Sequence, residues 1–229
     1  MLTKIAVIGG GVVGSTAAFY LSKNPEFEVT LFDEDTGQAT SASAGIINPW
    51  LSKRRNKEWY HMVKLGAAFY PTFLKEVFKE SAIPNEVYQK VGTLLFTKKD
   101  KTLEELLEIG RKRRKAAPEI GDLHILTPEE IQEKIPIYTK EKRALFASGG
   151  ARVDGKALIE EVREAAKNQG LRMVEEYATL KRGLQNKWVI ETNHFKEEFE
   201  AVILANSAWL PHTLEPLGYE VDVRPQKGQ

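Results

Sequence analysis

Apolar positions along this chain recur in two rhythms. Thr3–Ile8 (TKIAVI) and Glu28–Phe32 (EVTLF) are short β-branched runs, the pattern of buried strands. Between them come glycines, then a helical face made by Val13, Ala17 and Leu21 that stops at Asn24-Pro25. The order strand, glycine turn, helix, strand predicts the opening of a parallel α/β sheet. From Glu58 to about Ser81, Met62, Leu65, Phe69, Phe73, Leu74 and Val77 keep helical spacing and predict a long helix. Val91–Thr97 then reads as a strand, Thr102–Lys115 as an amphipathic helix and Leu123–Leu126 as a short strand. Thr127-Pro128-Glu129-Glu130 is a capping box with proline at the first helical position, so a helix starts there; Ala144–Ala147 is a strand.

The α/β rhythm then returns. Asp154 caps a helix whose inner face is Leu158, Val162, Ala165 and Ala166, and Gly170 ends it. After a strand at Leu171–Val174 come three short alternating runs, Ala178–Lys181, Trp188–Glu191 and about Glu198–Glu200. A fully apolar strand, Ala201–Ala205, and a helical segment, Ser207–Leu217, follow. The expected class is α/β. Residues 1–50 and 151–217 should build one Rossmann-like sheet domain, with 51–150 as an inserted α+β segment. There is no internal repeat and no low-complexity linker.

Composition narrows the partners. The 229 residues are 42% hydrophobic and 28% charged, with a net charge of +1. That balance is soluble and globular and argues against a nucleic-acid or membrane-surface partner. The basic runs Lys53-Arg54-Arg55 and Arg111–Lys115 read as solvated faces, with Glu108 expected to pair with Lys112. With no cysteine, disulfides and thiolate chemistry are excluded in this chain. His61, His124, His194 and His212 are dispersed, so no metal site is expected. The chain enters a strand almost at once and has no apolar run of spanning length, so a cytoplasmic protein is expected.

The first turn, Gly9-Gly10-Gly11-Val12-Val13-Gly14, matches G-x-G-x-x-G in its proper context. A strand precedes it, a helix opens from it, and an acid, Asp33, ends the next strand about 20 residues on. Gly9 would permit the tight turn, Gly11 the approach of a pyrophosphate, and Gly14 close helix packing. The helix start would face the phosphates, and Asp33 could accept from ribose hydroxyls. The turn points to a dinucleotide and leaves open which one.

A second signal is ATSASAGIINPW, residues 39–50, where no side chain from Ala39 to Gly45 is larger than threonine. Such a segment lets a flat ligand lie against main-chain N–H groups, as a flavin requires. The three short runs before Ala201 replace the helix that a doubly wound NAD domain would carry there.

With these pieces in order, the chain resembles the amino-terminal part of the FAD-dependent D-amino acid oxidase family, nearest its glycine oxidase and D-amino acid dehydrogenase members. IAVIGGGVVGSTAAFYL, VTLFDED, TSASAGIINP, VGTLLF, LTPEEIQEKIP, VDGKALIEEV, VILANSAWLP and RPQKGQ carry the resemblance. It implies FAD as cofactor, held at the pyrophosphate by Gly9, Gly11, Val12, Val13 and Gly14 and at the ribose by Asp33 with Glu34. It places Ala39 and Thr40 at the pyrophosphate, Ala44, Gly45 and Ile46 along the flavin ring, and the backbone of Thr179 at the adenine. Ser207 stands where the family has a glycine. The resemblance implies that residues 218–229 begin a substrate-domain sheet and that the chain is truncated. It also implies a small-molecule amino acid or amine substrate, oxidised at Cα–N; homo-oligomerisation is left open. No acid–base pair stands out, and no catalytic residue is assigned. Three other readings stay open: the same flavin fold acting on a hydroxy acid or glycerol phosphate, an NAD-dependent dehydrogenase, and a flavin-free remnant serving as a binding module.

Overall fold

A computed structural model describes residues 2–36, 39–54, 56–79 and 81–225. The chain forms two compact units, Met1–Ser43 with Gly155–Gln229, and Ala44–Asp154. The first unit opens with β1 (Thr3–Ile8), α1 (Val12–Leu21) and β2 (Phe27–Phe32). The second unit runs β3 (Ile46–Ile47), α2 (Lys57–Phe78), β4 (Tyr88–Gln89), β5 (Thr93–Leu95), α3 (Asp100–Arg114), β6 (Leu123–Leu126), α4 (Pro128–Lys134), β7 (Ala144–Ala147) and β8 (Ala151–Val153). The chain then returns to the first unit with α5 (Gly155–Lys167), β9 (Arg172–Val174), β10 (Thr179–Arg182), β11 (Trp188–Glu191), β12 (Lys196–Phe199), β13 (Ala201–Leu204) and α6 (Leu210–Leu214).

In the first unit a four-stranded parallel sheet is ordered β13-β1-β2-β9, with Ile5 opposite Ala201 and Val29. Strand alternation sends Ala6, Ile8 and Phe32 to one face, where they meet Ala178, Leu180, Ile190 and Phe199 of the antiparallel meander β10-β11-β12. Phe32 stands edge-on to Phe195 and Phe199, with ring centroids at 5.3 and 5.9 Å. Ile5, Val7, Val29 and Leu31 point the other way and are equally buried. α1 and α5 pack together, burying Ala18 and Phe19 of the one and Leu158, Ile159, Val162 and Ala166 of the other. The architecture is the expected α/β class, a parallel sheet with helices and a β-meander.

The second unit has its own core around Trp50, Leu103, Leu106, Ile120 and Leu145. Asn56 starts α2 by accepting the Trp59 N–H at 2.9 Å, and the capping box at Thr127 and Glu130 forms as expected. Phe73, Leu74 and Val77 of α2 are buried, whereas Met62, Leu65 and Phe69 on the same predicted stripe are exposed.

Several expectations shift. The 91–97 strand shortens at both ends to β5, and its start is set by Gly92, which takes φ +78°. β12 begins earlier than expected, and Glu200 already hydrogen-bonds through its N–H to the Lys4 carbonyl. The 207–217 helix breaks into α6 between two 3-10 turns, where Pro211 and Pro216 remove N–H donors. Glu108 pairs with Arg111, at 2.7 Å, rather than with Lys112. Arg55 and residues 226–229, which entered the sequence reading, lie outside the described residues; 218–225 contain no strand.

Candidate functional site

The turn after β1 is shaped by what surrounds it. Gly9 has φ +99°, and a Cβ there would sit 2.7 Å from the Ala205 carbonyl carbon that follows β13. A Cβ on Gly14 would sit 1.8 Å from the Gly9 carbonyl oxygen, so only glycine lets α1 start this close to the strand end. From behind, the buried Ser15 hydroxyl donates to the Gly10 carbonyl at 2.7 Å.

The turn forms one wall of a cavity of about 510 Å³ that lies wholly within the first unit. Gly9, Gly11, Val12 and Val13 line it, together with Asp33 and Glu34 after β2 and Ala39, Thr40 and Ser41 beyond. No side chain of the N-cap residue, Gly11, closes the start of α1. The Thr40 hydroxyl does so from outside, accepting the Val12 N–H at 3.2 Å. That hydroxyl keeps its proton to donate to an anion. Thr40 is itself fixed, since its carbonyl accepts from the Ser43 hydroxyl at 2.7 Å. A Cβ on Gly11 would meet only Thr40 Oγ1, at 3.3 Å, so this backbone is open to close approach. Helix N–H donors, a hydroxyl and a bare Cα together suit a pyrophosphate.

Acceptors gather beside this donor group. Asp33 and Arg163 of α5 form an ion pair, with side chains only 17% and 18% exposed. Arg163 Nη2 also donates to the Gly10 carbonyl at 2.6 Å, and its Nε to Ser15 Oγ at 3.3 Å. Asn206, after β13, lines the cavity; its amide nitrogen donates to Thr213 Oγ1 at 2.6 Å, while its buried Oδ1 has no protein partner. A carboxylate and an amide oxygen suit hydroxyl groups, such as those of a ribose. Glu176, also on the wall, lies 2.8 Å from His194 Nδ1. Hydrogen bonds from Thr192 and His194 hold its carboxyl below the usual glutamate range.

Of the residues singled out by sequence, Gly9, Gly11, Val12, Val13, Asp33, Glu34, Ala39 and Thr40 converge on this cavity. Gly14 does not line it and acts through packing. Ala178 lines it, but Thr179, the next residue, does not; the Thr179 hydroxyl donates to the Glu191 carbonyl at 2.9 Å within the meander. Ala44, Gly45 and Ile46 belong to the second unit. There Gly45 takes φ +62° with its Cα against the Val153 carbonyl, and Ile46 is exposed beside its partner Arg152. Sequence reasoning missed Arg163, Ser15 and Asn206. Arg163 leaves one signal: it follows the buried Ile159 by one helical turn, beside Val162 on the inner side of α5. Among the described residues no His, Asp and Glu side chains group as a metal site, and no helix is long and apolar enough to cross a membrane.

Residues 4–229 match the family model described as FAD dependent oxidoreductase. An uncharacterised oxidoreductase, YurR, of Bacillus subtilis is 34% identical over 224 residues, covering 97% of this chain and 60% of that protein. A glycine oxidase of Pseudomonas aeruginosa is 27% identical over 243 residues, covering all of this chain and 62% of that protein. Among solved structures, the iminodiacetate oxidase of Chelativorans sp. BNC1 superposes with a TM-score of 0.88 at 27% identity, over 97% of this chain and 60% of that one. The chain thus spans about 60% of the length of the relatives it matches.

Proposed function

The chain belongs to the family of FAD-dependent oxidoreductases, and from that premise we propose that it takes part in oxidising the Cα–N bond of glycine, an N-substituted glycine or a small D-amino acid. The cavity at the glycine turn carries this reading, because it sets phosphate donors beside hydroxyl acceptors. Gly11, Val12, Val13 and Thr40 would hold the pyrophosphate of FAD, and Asp33, with Asn206, the adenosine ribose. Gly14 would act by keeping α1 against the strand end. Ala44, Gly45 and Ile46 would supply small main chain to the flavin ring, and residues near Thr179 would border the adenine. In domain terms, Met1–Ser43 with Gly155–Gln229 would be the cofactor domain, and Ala44–Asp154 part of a substrate domain.

Bound FAD supplies a two-electron acceptor for the hydride leaving the substrate Cα, while the substrate nitrogen loses a proton and water hydrolyses the resulting imine. The protein's share is binding and orientation. The named activities of the glycine oxidase and the iminodiacetate oxidase support an amine donor over an alcohol. The test loads the chain with FAD and mixes it without oxygen with glycine, iminodiacetate, small D-amino acids, hydroxy acids and glycerol phosphate. Bleaching of the visible flavin band by an amine is expected. Bleaching by a hydroxy acid or glycerol phosphate alone would overturn the amine assignment.

A further inference from the structure

A charged side chain on the inner side of α5 is unusual, and this one meets both ligand-binding elements of the first unit. Arg163 pairs with Asp33 Oδ2 and, through the same Nη2, donates to the Gly10 carbonyl at 2.6 Å. Its Nε reaches Ser15 Oγ at 3.3 Å, and Ser15 donates to that same carbonyl. Both charged side chains are largely shielded from solvent, so solvent screens the pair less than it would an exposed one. A guanidinium keeps its charge and presents donors on several nitrogens in one fixed plane, so Nη2 and Nε together hold Asp33, the Gly10 carbonyl and Ser15 in a geometry that a single ammonium nitrogen on a flexible stem holds less rigidly.

We propose that Arg163 is a positioning residue for the nucleotide: it locks the Asp33 carboxylate to the back of the glycine turn, so that the ribose acceptor and the pyrophosphate cradle meet the ligand as one preformed unit. The proposal rests on the FAD reading above. Arg163 lines the same cavity, but its Nη2 and Nε are engaged by Asp33, the Gly10 carbonyl and Ser15, so those groups act on the nucleotide through Asp33 and the turn. With Oδ2 committed to the guanidinium, the orientation of the other oxygen, Oδ1, is set before any ligand arrives. A preformed acceptor spares binding the cost of ordering it. Without Arg163 the shielded carboxylate would lose its counter-charge and the turn one of the two donors to its Gly10 carbonyl.

The test is a double-mutant cycle on affinity, with FAD and ADP as probes and wild type, Arg163→Met, Asp33→Asn and the double variant as proteins. Arg163→Met is expected to weaken both probes about tenfold, the scale of one charge-assisted hydrogen bond. Made on top of Asp33→Asn, it should cost little more. Arg163→Lys should recover part of the loss, and if Arg163→Met fails to fold, thermal unfolding will show it and the lysine variant carries the cycle. An undiminished affinity in Arg163→Met, or an equal loss in the presence and absence of Asp33, overturns the proposal. Those results leave the FAD reading intact if wild type binds and Asp33→Asn weakens binding. A wild-type chain that binds neither FAD nor ADP overturns both.

Discussion

Two neighbouring strands are each followed by a residue at positive φ, and the two residues differ. After β1 the turn residue is Gly9, at φ +99°; after β13, the strand beside it, the residue is Ser207, at φ +49°. Both line the cavity. At Gly9 the conformation coincides with contact: a side chain would enter the backbone at Ala205 and Asn206. Ser207 is exposed, so it bears only the conformational cost, about 1 kcal/mol for a residue with a Cβ. This explains both the glycine expected at this position from the family resemblance and the tolerance of serine here. A left-handed angle favours glycine, whereas an angle together with a close approach demands it.

The largest effect should come from Gly9→Ala, which adds both penalties. A loss of about 3 kcal/mol or more is expected, read from the urea midpoint, together with loss of FAD binding. Gly14→Ala sharpens the contrast, since φ is not at issue there and only the 1.8 Å approach to the Gly9 carbonyl counts; we expect about 2 kcal/mol. If that variant were as stable as wild type, close approach could not be what sets Gly9 apart. Thr40→Val removes the hydroxyl that closes α1 from outside. It should cost about 1 kcal/mol and weaken FAD about fivefold in a fluorescence titration. Ser207→Gly should stabilise, by about 0.5 kcal/mol, because the gain at φ +49° exceeds the added freedom of the unfolded chain. A fall in melting temperature would break the comparison.

The smallest effect lies at the far end of β1, away from both turns. Glu197 of β12 accepts from Lys4 of β1 and Arg172 of β9. Burial raises its pKa, but those two hydrogen bonds outweigh it and hold the carboxyl below the usual glutamate range. The unfolded chain therefore binds this proton first. The stabilisation is complete at neutral pH and is lost as pH falls through the carboxylate range toward the folded value. Glu197→Gln should flatten that part of the acid limb by about 0.5 kcal/mol or less and leave FAD affinity unchanged.

The parts legible in the sequence are those in which one short stretch decides the geometry. The glycine turn, the acid ending β2 and the capping box at Thr127 are of this kind. The two-residue strands β3 and β4 and the three-residue β8 were not legible, because a period of two cannot register over so few positions. Arg163 was not legible for another reason. Its partners lie in α1, the turn and the end of β2, and only the packing of α1 on α5 brings them together. A charged residue on an inner helical face is the sequence trace of such a contact, and the resemblance to a family does not draw the eye to it. The exposed half of the α2 stripe shows the converse: helical spacing locates a face without saying what covers it.

The pairing of β1 with β13 has a consequence for synthesis. Ile5 lies beside Ala201, and the Gly9 turn is completed by Ala205. The first glycines to leave the ribosome soon gain β2 on one side of their strand but wait for β13 on the other, while the second unit between them can condense on its own local contacts. The cavity at the glycine turn is thus completed only after β13 has emerged, and a nascent chain stalled before β13 should bind no nucleotide.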